Sequence, residues 1–117
     1  MMSEASIRFN YNKAIQQAKR LEELANQLNN LAKNNVASTL SDLSRNWNGD
    51  SASQFLSKGH KAQNDIVKTA KQLSETAAAI RRAAKRMRDA EERARQIALI
   101  RTANGREGLL QNSSMKK

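Results

Sequence analysis

The residues with chemistry to offer are few, and they cluster in two places. Arg81, Arg82, Lys85, Arg86, Arg88, Arg93 and Arg95 crowd one stretch, and the only tryptophan stands in Arg45-Asn46-Trp47-Asn48-Gly49-Asp50-Ser51. Guanidinium and ammonium groups at that density offer charge recognition, of an acidic protein surface or of phosphates. A lone Trp beside a glycine offers an amphipathic ring at a chain reversal: a packing anchor, or a half-exposed recognition residue. Catalysis finds no support. His60 is the single histidine, cysteine is absent, the carboxylates are scattered and there is no glycine-rich phosphate loop. No catalytic residue, metal-ligand set or cofactor site is expected, and His60 reads as a solvated helix residue.

The basic charge is uneven. Residues 1–57 hold 6 Lys/Arg against 5 Asp/Glu, whereas residues 58–117 hold 15 against 6, which together give the net +10. Asp89–Arg93 and Glu91–Arg95 are spaced for helix ion pairs worth about 0.2–0.5 kcal/mol each, so most of the charge stays unpaired. Arg81, Arg82, Lys85, Arg86 and Arg88 are therefore the candidate docking residues for an acidic partner; the plainer reading is a solvated flank. The competing reading is a basic coiled coil that binds nucleic acid, since phosphate contacts need only Lys and Arg. Against it, no aromatic is interleaved for base stacking and no compact recognition-helix fold is evident.

The elements that position these groups are helical. The 117 residues include no proline and 3% aromatics, which speaks against a strand-rich fold. Ile15, Ala18, Leu21, Leu24, Leu28, Leu31, Val36, Leu40, Leu43 and Trp47 recur at steps of three and four, with one step of five between Leu31 and Val36. Asn29-Asn30 and Asn34-Asn35 weaken the middle of that run. Farther along, Ile66, Leu73, Ile80, Met87 and Ala94 recur at steps of seven, and Ala62, Ala70, Ala77, Ala84, Glu91 and Ala98 fill the alternate position. Small residues there allow close helix approach; Gly59 on the same seam marks the closest crossing or simply costs about 1 kcal/mol of helix propensity.

The expected architecture is all-α, an antiparallel helical hairpin. Residues 1–9 form an N-terminal extension, helix 1 covers about 10–46, the turn 47–51 and helix 2 about 52–103. Asn10 or Asn12 caps the first helix; Gly49 takes a positive φ at the turn, and Asp50 or Ser51 caps the second. Asn104-Gly105 stops that helix, leaving 104–117 as a disordered tail. At 1.5 Å per residue the arms measure roughly 54 and 76 Å, so the second should overhang from around Arg86–Arg88. A hairpin shields each helix on one side only, which predicts a four-helix bundle on dimerisation. The dimer and hairpin seam is read as Leu21, Leu24, Leu28, Leu31, Val36, Leu40, Leu43, Phe55, Ile66, Leu73 and Ile80.

Two helical arms around a central Trp47-Asn48-Gly49, with Phe55 shortly after it, resemble the WXG family of small type VII secretion proteins. The resemblance covers roughly residues 7–95. It implies a non-enzymatic protein, exported folded or serving as targeting partner for a larger secreted effector, with Trp47, Asn48 and Gly49 as the recognition turn. The family's second motif, a Tyr followed four residues later by an acid, falls on Met87 and Glu91; the acid is kept and the Tyr is replaced. The implied partners are a second copy, a related small helical protein or the helical domain of a larger effector, and a secretion ATPase. No stretch is apolar enough to span a membrane, and no general secretory signal peptide is evident. The implied route is type VII export from the cytoplasm. A plain structural dimer is the bland alternative.

Overall fold

In the computed structural model, which describes residues 3–115 and the side chains of residues 3–105, the chain is a helical hairpin. The first arm is α1 (Glu4–Asn30), a π-helical turn (Leu31–Val36) and α2 (Ala37–Asn46); the second is α3 (Asp50–Met115). The hairpin measures 103 × 17 × 12 Å, the proportions of two helices side by side.

The first arm starts earlier than the capping signals at Asn10 and Asn12 suggest, so residues 4–9 are helix and not an extension. Ser3 is the cap, its hydroxyl accepting the Ser6 backbone N–H at 3.1 Å. The early start places Ile7, almost fully buried, against the other arm. It also lengthens the overlap: Glu4 meets Arg95 at 3.5 Å, so the overhang begins beyond Arg95 and not at Arg86–Arg88.

Residues Leu31–Val36 are wound with one residue too many for an α-helix, and the Ala37 N–H reaches back to the Ala32 carbonyl. This is the place of the step of five. Ala18, Ala25 and Ala32 are buried at steps of seven, and the next buried position, Leu40, follows at eight. Gln63 from the other arm donates its Nε2 to the same Ala32 carbonyl at 3.2 Å.

The second arm begins at Asp50, and it is the Gly49 carbonyl that accepts the Ser53 N–H at 3.0 Å. Asp50 therefore sits inside the first turn, where its negative charge suits the helix N-terminus. At the other end α3 continues through Asn104 and Gly105 to Met115, so the expected stop is not taken. Gly105 keeps a negative φ, and a glycine inside a helix costs only about 1 kcal/mol. Residues 116–117 of the expected tail lie outside the described residues.

The line of closest contact is alanine. Ala18, Ala25 and Ala32 on the first arm face Ala70, Ala77 and Ala84 on the second, all buried. Of the eleven large residues expected in the seam, only Leu40 is buried within the chain; Leu24, Leu31 and Phe55 are exposed and the others half-buried. Small side chains let the two backbones approach, and the leucines and isoleucines are then displaced to the flank of the contact.

Candidate functional site

The tip is built by the helix ends. Trp47 takes an extended backbone (φ −132°, ψ 119°) that ends α2, and its N–H still bonds the Leu43 carbonyl at 2.9 Å. Asn46 turns its Nδ2 back onto the Asp42 carbonyl at 3.0 Å. Gly49 then takes φ +111°, a backbone that a side chain rarely tolerates, and aims the chain into α3. The reversal thus needs a glycine two residues after the tryptophan, which gives the Trp-x-Gly spacing a structural cause.

Trp47 packs on Phe55, with ring centroids 5.6 Å apart and planes tilted by 54°. Trp47 remains 40% exposed and Phe55 50% exposed, so the tip carries an aromatic pair supported on one side and open on the other. Below it lies a groove of about 280 Å³ between Val36, Leu40, Leu43, Phe55 and Gly59. Gly59 lines it, and its missing side chain makes room for Leu40.

Met87 and Glu91 sit far from the tip, one helical turn apart on α3. They line a cleft of about 250 Å³ with Ile7, Asn10, Tyr11 and Arg88. Met87 is 63% exposed. Tyr11, the chain's only tyrosine, enters this cleft from the opposite arm, and the Arg88 guanidinium stacks 4.2 Å above its ring centroid. The antiparallel register places it there: Leu40 lies over Gly59, and position 11 comes opposite position 88.

The basic cluster does not form one surface. Arg81 turns to the first arm and donates its Nε to Glu22 Oε1 at 2.6 Å; that hydrogen bond raises the arginine's pKa above its ordinary value. Arg88 is taken up by Tyr11 and by Asp89 at 3.4 Å. Arg82, Lys85 and Arg86 point outward, exposed. Neither Asp89–Arg93 nor Glu91–Arg95 closes as an ion pair. Asp89 faces Arg88, and Arg95 crosses to Glu4, because the first arm reaches that far.

The two flanks of the hairpin differ in kind. On α3, the row running from Phe55 through Ile66, Leu73, Ile80 and Met87 to Ala94 at steps of three and four carries no charge at any position. On the first arm, Leu21, Leu24, Leu28 and Leu31 occupy the corresponding row. In an antiparallel pair these rows fall on the same side, so one broad face is uncharged and only partly covered. The opposite face carries most of the free charge. Among the described residues no cluster of His, Cys, Asp or Glu is arranged to hold a metal ion. No described helix is long and apolar enough to cross a membrane.

Comparison with known proteins returns one family model, described as WXG100, proteins of 100 residues with WXG, which matches residues 6–92. No curated protein and no solved structure matches the chain. The matched segment contains most of the overlap of the two arms, the Trp47 tip and the cleft lined by Tyr11, Met87 and Glu91.

Proposed function

The chain belongs to the WXG100 family of small helical proteins associated with type VII secretion, and from that membership we propose that it is a non-catalytic export substrate that also serves as targeting companion for a larger effector. The observation that carries the reading is the tip. Trp47 is braced by Phe55 yet keeps two-fifths of its surface free. A residue that served only to close the hairpin would gain by burying the whole ring. A ring held rigid and half open is suited to recognition by the secretion ATPase.

Pairing is the second part of the reading. The uncharged face, with Leu24, Leu31 and Met87 exposed on it, receives a second helical hairpin, from a related small protein or from the helical region of the effector. Burying those side chains yields roughly 25 cal/mol per Å² of apolar surface, and the product is a four-helix bundle. Tyr11 extends the reading to the far end of the hairpin. It lines one cleft with Met87 and Glu91, so that an aromatic ring and a carboxylate are contributed to it by different arms.

The test is export from the native cell with folding followed separately. Trp47→Ala is expected to lose secretion while helicity and partner pairing stay intact. Normal secretion of that variant removes the recognition role. At the far end, Glu91→Gln and Tyr11→Ala are each expected to reduce export at unchanged helicity. If Glu91→Gln acts and Tyr11→Ala does not, the carboxylate works without the aromatic.

A further inference from the structure

We infer that the face opposite the uncharged one is a second docking surface, for an acidic protein helix, usable while the uncharged face is occupied. On α3 the outward row at steps of three and four carries Lys61, Lys68, Lys71, Arg82, Arg86 and Arg93, all exposed. Among the described residues none of these six makes an ion pair, unlike Arg81, Arg88 and Arg95, which turn to the first arm or to a neighbour. At 1.5 Å per residue the row from Lys61 to Arg93 is about 48 Å long. It is a fixed array, because it stands on a helix whose buried side is locked by Ala70, Ala77 and Ala84.

The chemistry of the row selects its partner. Glu75 and Asp89 interrupt it. A partner helix that is mainly acidic but carries an occasional cation can match both signs, whereas a phosphate backbone offers only negative charge. No aromatic stands on the row to stack on a base, and no large apolar side chain stands there to enter a bilayer. Because the uncharged row lies on another side of the same helix, the two surfaces do not compete. This inference is independent of the reading of the tip, and either can fail alone.

Two charge-reversed variants of the full chain decide it. One carries Arg82→Glu, Arg86→Glu and Arg93→Glu; the other carries Lys13→Glu, Arg20→Glu and Arg45→Glu, exposed positions on the first arm with the same change in net charge. Circular dichroism verifies that both remain helical. Binding of a glutamate-rich helical peptide long enough to span the row is measured by calorimetry at low and at moderate salt. The ridge variant is expected to lose affinity about tenfold or more and the control less than about threefold, as local complementarity requires. Hydrogen exchange with the peptide bound should slow along residues 61–93. Equal losses in the two variants mean that net charge alone attracts the peptide, and overturn the proposal. Tighter binding of a DNA duplex with a steep salt dependence, or of phosphatidylserine vesicles, overturns it in favour of a different polyanion.

Discussion

Leu40 lies directly over Gly59, and a Cβ placed on that glycine would run into the Leu40 Cδ2 atom. Leu40 is the one large residue of the expected seam that is buried within the chain, and it is buried because the facing position has no side chain. The two residues form a knob and a gap near the tip. Gly59→Leu is therefore expected to destabilise the hairpin by about 1–3 kcal/mol through overpacking, despite a gain in helix propensity of about 1 kcal/mol. Leu40→Ala in the same chain should recover part of the loss. The check is a double-mutant cycle on urea unfolding at fixed chain concentration, because association shifts apparent stability. Additive effects would mean that the two side chains do not meet.

The alanine contact and the exposed leucines should respond in opposite ways. Ala25→Leu forces the backbones apart and is expected to cost about 1–3 kcal/mol of hairpin stability. Leu24→Ser together with Leu31→Ser should leave that stability within about 0.5 kcal/mol, as surface changes do, yet weaken pairing with a second hairpin. Urea melts report the first effect and sedimentation the second. Loss of helicity in the double serine variant would show that the leucines belong to the contact within the chain.

That contrast marks what a sequence reading could reach. Period and punctuation were enough for the two arms, the reversal at Trp47-Asn48-Gly49 and the positive φ of Gly49, because each follows from local backbone physics. Which of two adjacent rows meets the chain's own second arm is a tertiary choice. Hydrophobicity favours the leucines, but close backbone approach favours Ala18, Ala25 and Ala32. Capping was ambiguous for a similar reason: Ser3, Asn10 and Asn12 are all competent, and the burial of Ile7 supports the earliest. At the candidate site, Trp47 stood out as the lone tryptophan beside a turn glycine, and Met87 and Glu91 were legible only through the resemblance's second motif, whereas Tyr11 joins their cleft through antiparallel register. The basic run read as one patch; the cross-arm partners Glu22, Tyr11 and Glu4 divide it.

The Arg81–Glu22 pair gives a sign for pH and salt. The raised pKa of Arg81 means that its contribution is fully present below the ordinary arginine value and is lost only as pH climbs through the raised one. Arg81 therefore lends no pH dependence to stability between about pH 6 and 9. Salt should act, because both side chains are about two-fifths exposed. Arg81→Gln is expected to lower the urea midpoint slightly at low salt and hardly at all in molar salt. A midpoint difference that persists in molar salt would assign the role of Arg81 to packing of its stem rather than to charge.

The π-helical turn yields the least intuitive expectation, that shortening the protein should stabilise it. Leu31–Val36 holds one residue more than an α-helix would place between Ala32 and the next buried position. Deleting Asn34 shortens that interval from eight to seven, the step that already separates Ala18, Ala25 and Ala32. The first arm then becomes one continuous α-helix, and a poor helix former costing about 0.7 kcal/mol relative to alanine is removed. The Ala32 carbonyl, which accepts the Ala37 N–H across the π turn, then accepts from the residue four positions on. The deletion is expected to raise the urea midpoint and to slow hydrogen exchange across residues 31–36. It should also reshape the groove beside Phe55, whose wall includes Val36. Because π-turns inside helices often mark functional positions, the same deletion tests why a weaker arrangement is kept: a stabilised protein with reduced export would place the turn in recognition. A lowered midpoint would instead mean that the extra residue relieves a clash between the arms.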